Sequence, residues 1–318
     1  MRTDFGGVSL QSQALGLVLR HSARRVIGAW SLAPTLPWPY AVVDHLGQLQ
    51  RKVPGTRFAT TVVGGCRARI VSPARPVAGR HILYFHGGAF LIGGWHLHGG
   101  LLSRIAAATG ATITSVEYRQ LPKHSIEQSI RDGVAAYRHL LAHGIPAHEI
   151  VFMGDSAGGF LTFTVADRAR AEGLPAPAGL VAMSPLVDLD FLRTPLGRRR
   201  RGDLLFGPRA LQTFARIAAG LHPDGVHTPI DCEHASLPPV LLQISSSEAL
   251  YKQVRRLAEL LEAAGVPTDL HVWPGQIHVF QAASILPEAA EAISALATWS
   301  ARQWAAASGE GATRAASA

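Results

Sequence analysis

The pentapeptide Gly154-Asp155-Ser156-Ala157-Gly158 has the form G-x-S-x-G and lies between an apolar run at 150–153 and a helical pattern over 157–171. A serine on so sharp a strand-to-helix turn needs small neighbours on both sides, which Gly154 and Gly158 supply. Its hydroxyl then stands at a helix N-terminus, where it could attack a carbonyl carbon. Attack creates an oxyanion, and backbone N–H groups must meet it. The segment His86-Gly87-Gly88-Ala89-Phe90, after the apolar run 81–85, is glycine-rich enough to bring backbone close, and Ala157 offers the N–H next to the serine. A hydroxyl also needs a base, and the base a carboxylate to orient it. His278 in Gly275-Gln276-Ile277-His278-Val279-Phe280 supplies an imidazole just past the last apolar run, and Glu248 is the single carboxylate in 245–250. Either glycine segment alone could be an ordinary turn; the strand before and helix after Ser156 argue otherwise.

Other elements must position these residues. Two β-type runs, 60–63 and 68–71, flank Gly64-Gly65 and predict a hairpin. Apolar strands at 81–85, 111–116, 150–153, 180–183, 240–244 and 270–273 then alternate with helical stretches at 101–108, 125–143, 157–171, 254–264 and 288–304. That alternation predicts an α/β fold: a mostly parallel sheet with helices on both faces, its active groups at the carboxyl ends of strands. In α/β-hydrolase sheets the partners follow in the order serine, acid, histidine. His271 falls inside a strand pattern and the other thirteen histidines precede residue 240, which leaves His278. Glu248 competes as the acid with Asp188 and Asp190 after the preceding strand, Asp231 in irregular chain, and Asp269 at the wrong end of a strand. Residues 1–50 are amphipathic and helical, then proline-rich. Regularity also lapses over 185–235, apart from a short helix near 210–219, and the small, polar tail 308–318 reads as disordered.

The chain has 318 residues, of which 16% are charged. Its net charge of +8 is uneven: Arg193 precedes a run from Arg198 to Arg201. A solvated loop accounts for that run, and without a recognisable nucleic-acid-binding motif no nucleic-acid partner is expected. Cys66 and Cys232 lack metal-binding spacing and read as thiols in a reducing compartment. His96 and His98 lack an accompanying carboxylate cluster, so neither a metal nor another cofactor is expected. No apolar stretch is long enough to span a bilayer, and Arg20, Arg24 and Arg25 follow the apolar run 15–19, the wrong order for a secretory signal. The expected location is cytoplasmic, with peripheral contact to lipid surfaces and self-association left open.

These motifs together resemble the hormone-sensitive-lipase-like, or bacterial family IV, esterases and lipases. HGGAF (86–90), GDSAGG (154–159) and GQIHVF (275–280) fit the family pattern in order, and Tyr118-Arg119-Gln120-Leu121-Pro122 is similar to its YRLAP segment. The resemblance covers roughly residues 60–305. It implies a carboxylic ester hydrolase of short- to medium-chain acyl esters, with Ser156, Glu248 and His278 as triad and Gly87, Gly88 or Ala89 with Ala157 as oxyanion donors. It also implies a cap from 1–50 and 185–235 over a core of 51–184 and 236–307. Two departures stand out. Ala89 replaces the usual third glycine, and Glu248-Ala249-Leu250-Tyr251-Lys252 replaces the usual D-P-L-x-D, so its second carboxylate is absent. The alternative is a catalytically silent homologue that binds a small hydrophobic ligand.

Overall fold

The computed structural model describes residues 1–190, 203–221 and 225–315. The arginine run at 198–201 lies outside the described residues. A short strand β1 (Arg2–Asp4) and helices α1 (Leu10–His21), α2 (Ala23–Leu32) and α3 (Tyr40–Leu46) precede the hairpin β2 (Arg57–Val63) and β3 (Cys66–Ser72). Then come β4 (His81–Phe85), α4 (Gly99–Thr109), β5 (Thr112–Val116), α5 (Ile126–Ala142), β6 (Ile150–Asp155), α6 (Ala157–Ala171) and β7 (Gly179–Met183). Helix α7 (Pro208–Ala219) precedes the closing run of β8 (Val240–Ser245), α8 (Tyr251–Ala263), β9 (Thr268–Trp273) and α9 (Pro287–Ala315).

The strands form one sheet in the order β1-β9-β8-β7-β6-β4-β5-β3-β2. Pairing is parallel from β1 to β5 along that order and antiparallel at β5–β3 and β3–β2. The central strands β6, β7 and β8 are buried at every position. That is why they read as continuous apolar runs rather than alternating ones. Phe85, Phe152 and Phe160 fill the core on the face of α5, α6 and α8, and Leu101, Ile105 and Trp299 fill it on the face of α4 and α9. Ser125 and Gln128 form a reciprocal capping box that starts α5.

Two features depart from the sequence reading. Residues 2–4 are not part of a helical lead-in: they pair in parallel with Leu270–Val272, and Phe5 stacks on Trp273 with ring centroids 4.0 Å apart. Three residues are too short for a detectable alternation, and the pairing partner lies at the far end of the chain. The second departure is α9, whose backbone stays helical to Ala315, past residue 308. The alanines of 305–307, the strongest helix formers, carry the helix on where the polar composition suggests a tail.

Candidate active site

Five neighbouring parallel strands, β9, β8, β7, β6 and β4, end on the same edge of the sheet. The loops beyond their carboxyl ends carry His278, Glu248, Ser184, Ser156 and the segment 86–90. Ser156 follows β6 directly, with φ 52° and ψ −116°, a conformation an L-residue adopts only under constraint. The constraint is close packing: a Cβ on Gly158 would collide with the Phe85 carbonyl, and one on Gly154 with that of Gly158. The small flanking residues therefore let α6 start directly against β4.

Ser156 Oγ donates to His278 Nε2 at 2.9 Å, and His278 Nδ1 meets Glu248 Oε2 at 2.5 Å. A carboxylate acceptor places the imidazole proton on Nδ1 and leaves Nε2 free to take the serine proton. Glu248 and His278 are both buried. The other Glu248 oxygen, Oε1, accepts from Ser184 Oγ (2.8 Å) and the Ser245 N–H (2.9 Å). Ser184 Oγ in turn accepts from the Val279 N–H (3.2 Å) and so ties the acid to the histidine loop. Burial works against a charged imidazole, but Glu248, with Asp203 and Asp155 further off, outweighs it and lifts His278 above the ordinary histidine value. Burial also lifts Glu248, against the pull of His278.

The competing acids lie elsewhere. Asp188 accepts the Asp190 N–H at 2.9 Å, Asp231 accepts from Thr228, and Asp269 holds the Trp299 indole N–H at 3.0 Å.

The expected oxyanion loop divides. Gly87 N–H donates to Asp155 Oδ1 at 3.0 Å, so it is committed and cannot also receive an oxyanion. Among the described residues, no acceptor faces the N–H of Gly88, Ala89 or Ala157. Ala89 and Phe90 both have φ 55°, so the residue that replaces the usual glycine holds a left-handed conformation.

Asp155 is more than a spacer in the pentapeptide. Its buried carboxylate accepts from Tyr84 Oη (2.6 Å), Gly87 N–H and His98 Nε2 (3.2 Å). His98, weighed above only as a metal ligand, is thereby the ionic partner of Asp155. Against burial, that carboxylate raises the His98 pKa, and His98 helps hold Asp155 below its usual value. Burial, together with the neighbouring His98, holds His86 down at about 4. Neutral His86 donates from Nδ1 to the Gly87 carbonyl at 2.8 Å and stacks on Tyr118. Tyr84, His98, Ser184 and Asp203 carried no motif; position after a strand end is the one signal that could have singled out Ser184. Away from this site, Asp167, His227 and Cys232 gather potential ligand atoms within 4.8 Å of one another, a trio that residue spacing did not suggest.

Two cavities meet at Ser156. The larger, about 610 Å³, is walled by α1–α3 together with the oxyanion and histidine loops, and the smaller, about 50 Å³, by α7 and the start of α6.

Residues 82–282 match the family described as alpha/beta hydrolase fold, and the chain belongs to it. It is 35% identical over 281 residues to the esterase LipU of Mycobacterium tuberculosis (strain ATCC 25618 / H37Rv), which covers 84% of this chain and 94% of that protein. It is likewise 35% identical over 234 residues to an acetyl-hydrolase of Streptomyces hygroscopicus, covering 73% of this chain and 78% of that one. Among solved structures, the hormone-sensitive-lipase homologue EstE7 from a metagenome library superposes with a TM-score of 0.82 at 30% identity, over 93% of this chain and 100% of EstE7. The resemblance to hormone-sensitive-lipase-like esterases therefore holds, and the chain is a carboxylic ester hydrolase of the serine type, acting on small-molecule esters. Among the described residues no helix is long and apolar enough to cross a membrane.

Proposed function

We propose that the chain hydrolyses short- to medium-chain acyl esters through Ser156, His278 and Glu248 by way of an acyl-enzyme. The observation that carries this reading is the unbroken hydrogen-bonded line from Ser156 Oγ through His278 to Glu248 at the junction of two apolar-lined cavities. In the first step His278 Nε2 takes the Ser156 proton as Oγ bonds to the ester carbonyl carbon. The amides of Gly88, Ala89 and Ala157 receive the oxyanion, each such donor contributing on the order of 3 kcal/mol to the transition state. The bond from carbon to the alcohol oxygen then breaks, and that oxygen takes the proton from Nε2. In the second step His278 removes a proton from water as the water oxygen bonds to the acyl carbon, then returns that proton to Ser156 Oγ as the carbon–Oγ bond breaks and the carboxylic acid is released. Glu248 keeps Nδ1 protonated and stabilises the imidazolium throughout. Residues 10–50 and the described parts of 185–235 act as the cap over this chemistry, on a core of 51–184 and 236–307 to which β1 adds an edge strand. Free thiols at Cys66 and Cys232 suit the reducing cytoplasm.

The test is turnover of p-nitrophenyl butyrate by the wild type and by Ser156→Ala. The variant should fold normally and lose at least about 10³ in kcat. Retention of more than that fraction would remove Ser156 from the role.

A further inference from the structure

We propose that the site is built for short acyl groups carried on large apolar alcohols, and that its two unequal cavities set this preference. This rests on the hydrolase reading above and deepens it. Three directions leave the tetrahedral carbon besides the bond to Ser156. The oxyanion must point to the free amides of Gly88, Ala89 and Ala157. The alcohol oxygen must lie within reach of His278 Nε2, which protonates it as it leaves. The acyl chain takes what remains.

The cavity walls assign those directions. The larger cavity runs along the histidine loop: Ile277, Val279, Ala282 and Ala283 line it, and none of these lines the smaller one. Its far wall comes from Leu15, Leu19, Trp38 and Val43. The alcohol therefore departs into an apolar space of about 610 Å³. The smaller cavity lies against the start of α6 and is closed by Ala157, Leu186, Leu211 and Phe214. Phe214 is itself fixed, stacked on Phe90 with centroids 6.4 Å apart. One water needs about 10–15 Å³ of such space, so the 50 Å³ of this cavity admits about four small atoms, an acetyl to butyryl group. A longer acyl chain would have to displace buried side chains from α7.

Hexyl acetate and ethyl hexanoate separate the two cavities, because they are isomers with the same number of carbons and differ only in which side of the ester is long. We expect kcat/KM for hexyl acetate to exceed that for ethyl hexanoate by at least about tenfold, the low end of the range a tight apolar pocket achieves against an extra methylene. A smaller ratio, or a reversed one, overturns the assignment of the cavities. The ratio is read within one preparation, so partial unfolding of a variant does not affect it. In Phe214→Leu it should fall because ethyl hexanoate turns over faster. In Val43→Trp it should fall because hexyl acetate turns over more slowly. An unchanged ratio in both variants also overturns the proposal. Failure to hydrolyse either isomer or p-nitrophenyl acetate would instead defeat the hydrolase reading itself.

Discussion

Replacing Glu248 with glutamine tests the acid through its hydrogen bonds rather than its shape. Glu248 Oε1 accepts two donors, Ser184 Oγ–H and the Ser245 N–H, while Oε2 accepts His278 Nδ1–H. Glutamine has one oxygen and one NH2 in place of those two acceptors. Ser184 can rotate its hydroxyl, but the Ser245 N–H is backbone and can only donate. The amide oxygen is therefore held at Oε1 by a donor 2.9 Å away, and the NH2 is turned to His278 Nδ1. Nδ1 must then accept, the imidazole proton moves to Nε2, and His278 can no longer take the Ser156 proton. An Asp→Asn change with the same tautomeric consequence in a serine protease costs about 10⁴ in kcat. We expect a loss approaching that here, or about 5.5 kcal/mol of transition-state stabilisation. Shape and packing are conserved, so the melting temperature should change little. The assay is kcat for p-nitrophenyl butyrate alongside thermal denaturation. A folded Glu248→Gln enzyme within tenfold of wild type would refute the reasoning. If Asp188→Asn were then crippling, the acid would be Asp188.

Three further outcomes follow from the same geometry. His278 must be neutral to act as base and titrates above the ordinary histidine value of about 6.5. The kcat/KM for p-nitrophenyl acetate should therefore fall as pH drops through that raised value, and a limb centred below it would contradict the coupling to Glu248. His98→Leu strands the buried Asp155 carboxylate without its ionic partner and should cost about 3–5 kcal/mol in urea denaturation, whereas a cost under about 1 kcal/mol would show that the pair is not needed. Deleting residues 1–8 removes β1 and the Phe5–Trp273 stack, so the melting temperature should drop by a few degrees before any part of the α1–α3 wall is lost.

That last expectation differs from the reading of residues 1–50 as a helical cap outside the core. What was legible depended on range. Ser156, its glycines and the strand–helix alternation are local patterns with a period or a fixed spacing, and the observed elements follow them closely. His278 and Glu248 were found by their place after strand ends, which is also local. The partners that hold them were not visible, because each is a contact across the chain between residues of ordinary type. Ser184 reaches Glu248 over 64 positions and His98 reaches Asp155 over 57. Gly87 shows the limit from the other side. Its glycine-rich setting suggested an oxyanion donor, and only the position of Asp155 shows that its amide is already engaged.

The missing second carboxylate after Glu248 is the case in which sequence and structure inform each other most. Lys252 stands where the related pattern has an acid, so this segment supplies one carboxylate instead of two. A second carboxylate nonetheless stands beside this loop: Asp203, from outside the segment altogether. Its Oδ2 accepts the Ala249 N–H at 3.0 Å, directly next to the acid. Its Oδ1 accepts the N–H groups of Leu205 and Phe206 at 2.7 and 2.8 Å. Those bonds set Phe206 edge-on to the His278 ring, with centroids 4.9 Å apart. Arg24 of α2 donates to the Asp203 carbonyl and so brings the N-terminal helices into the same arrangement. One buried aspartate thus links the acid loop, the wall against the imidazole and α2. Its charge also helps to raise the His278 pKa, after Glu248 itself. The glutamate at 248 is therefore held from both sides, by Ser184 and Ser245 on its carboxylate and by Asp203 on the backbone that follows. Such anchoring limits the additional torsion that a glutamate carries relative to an aspartate.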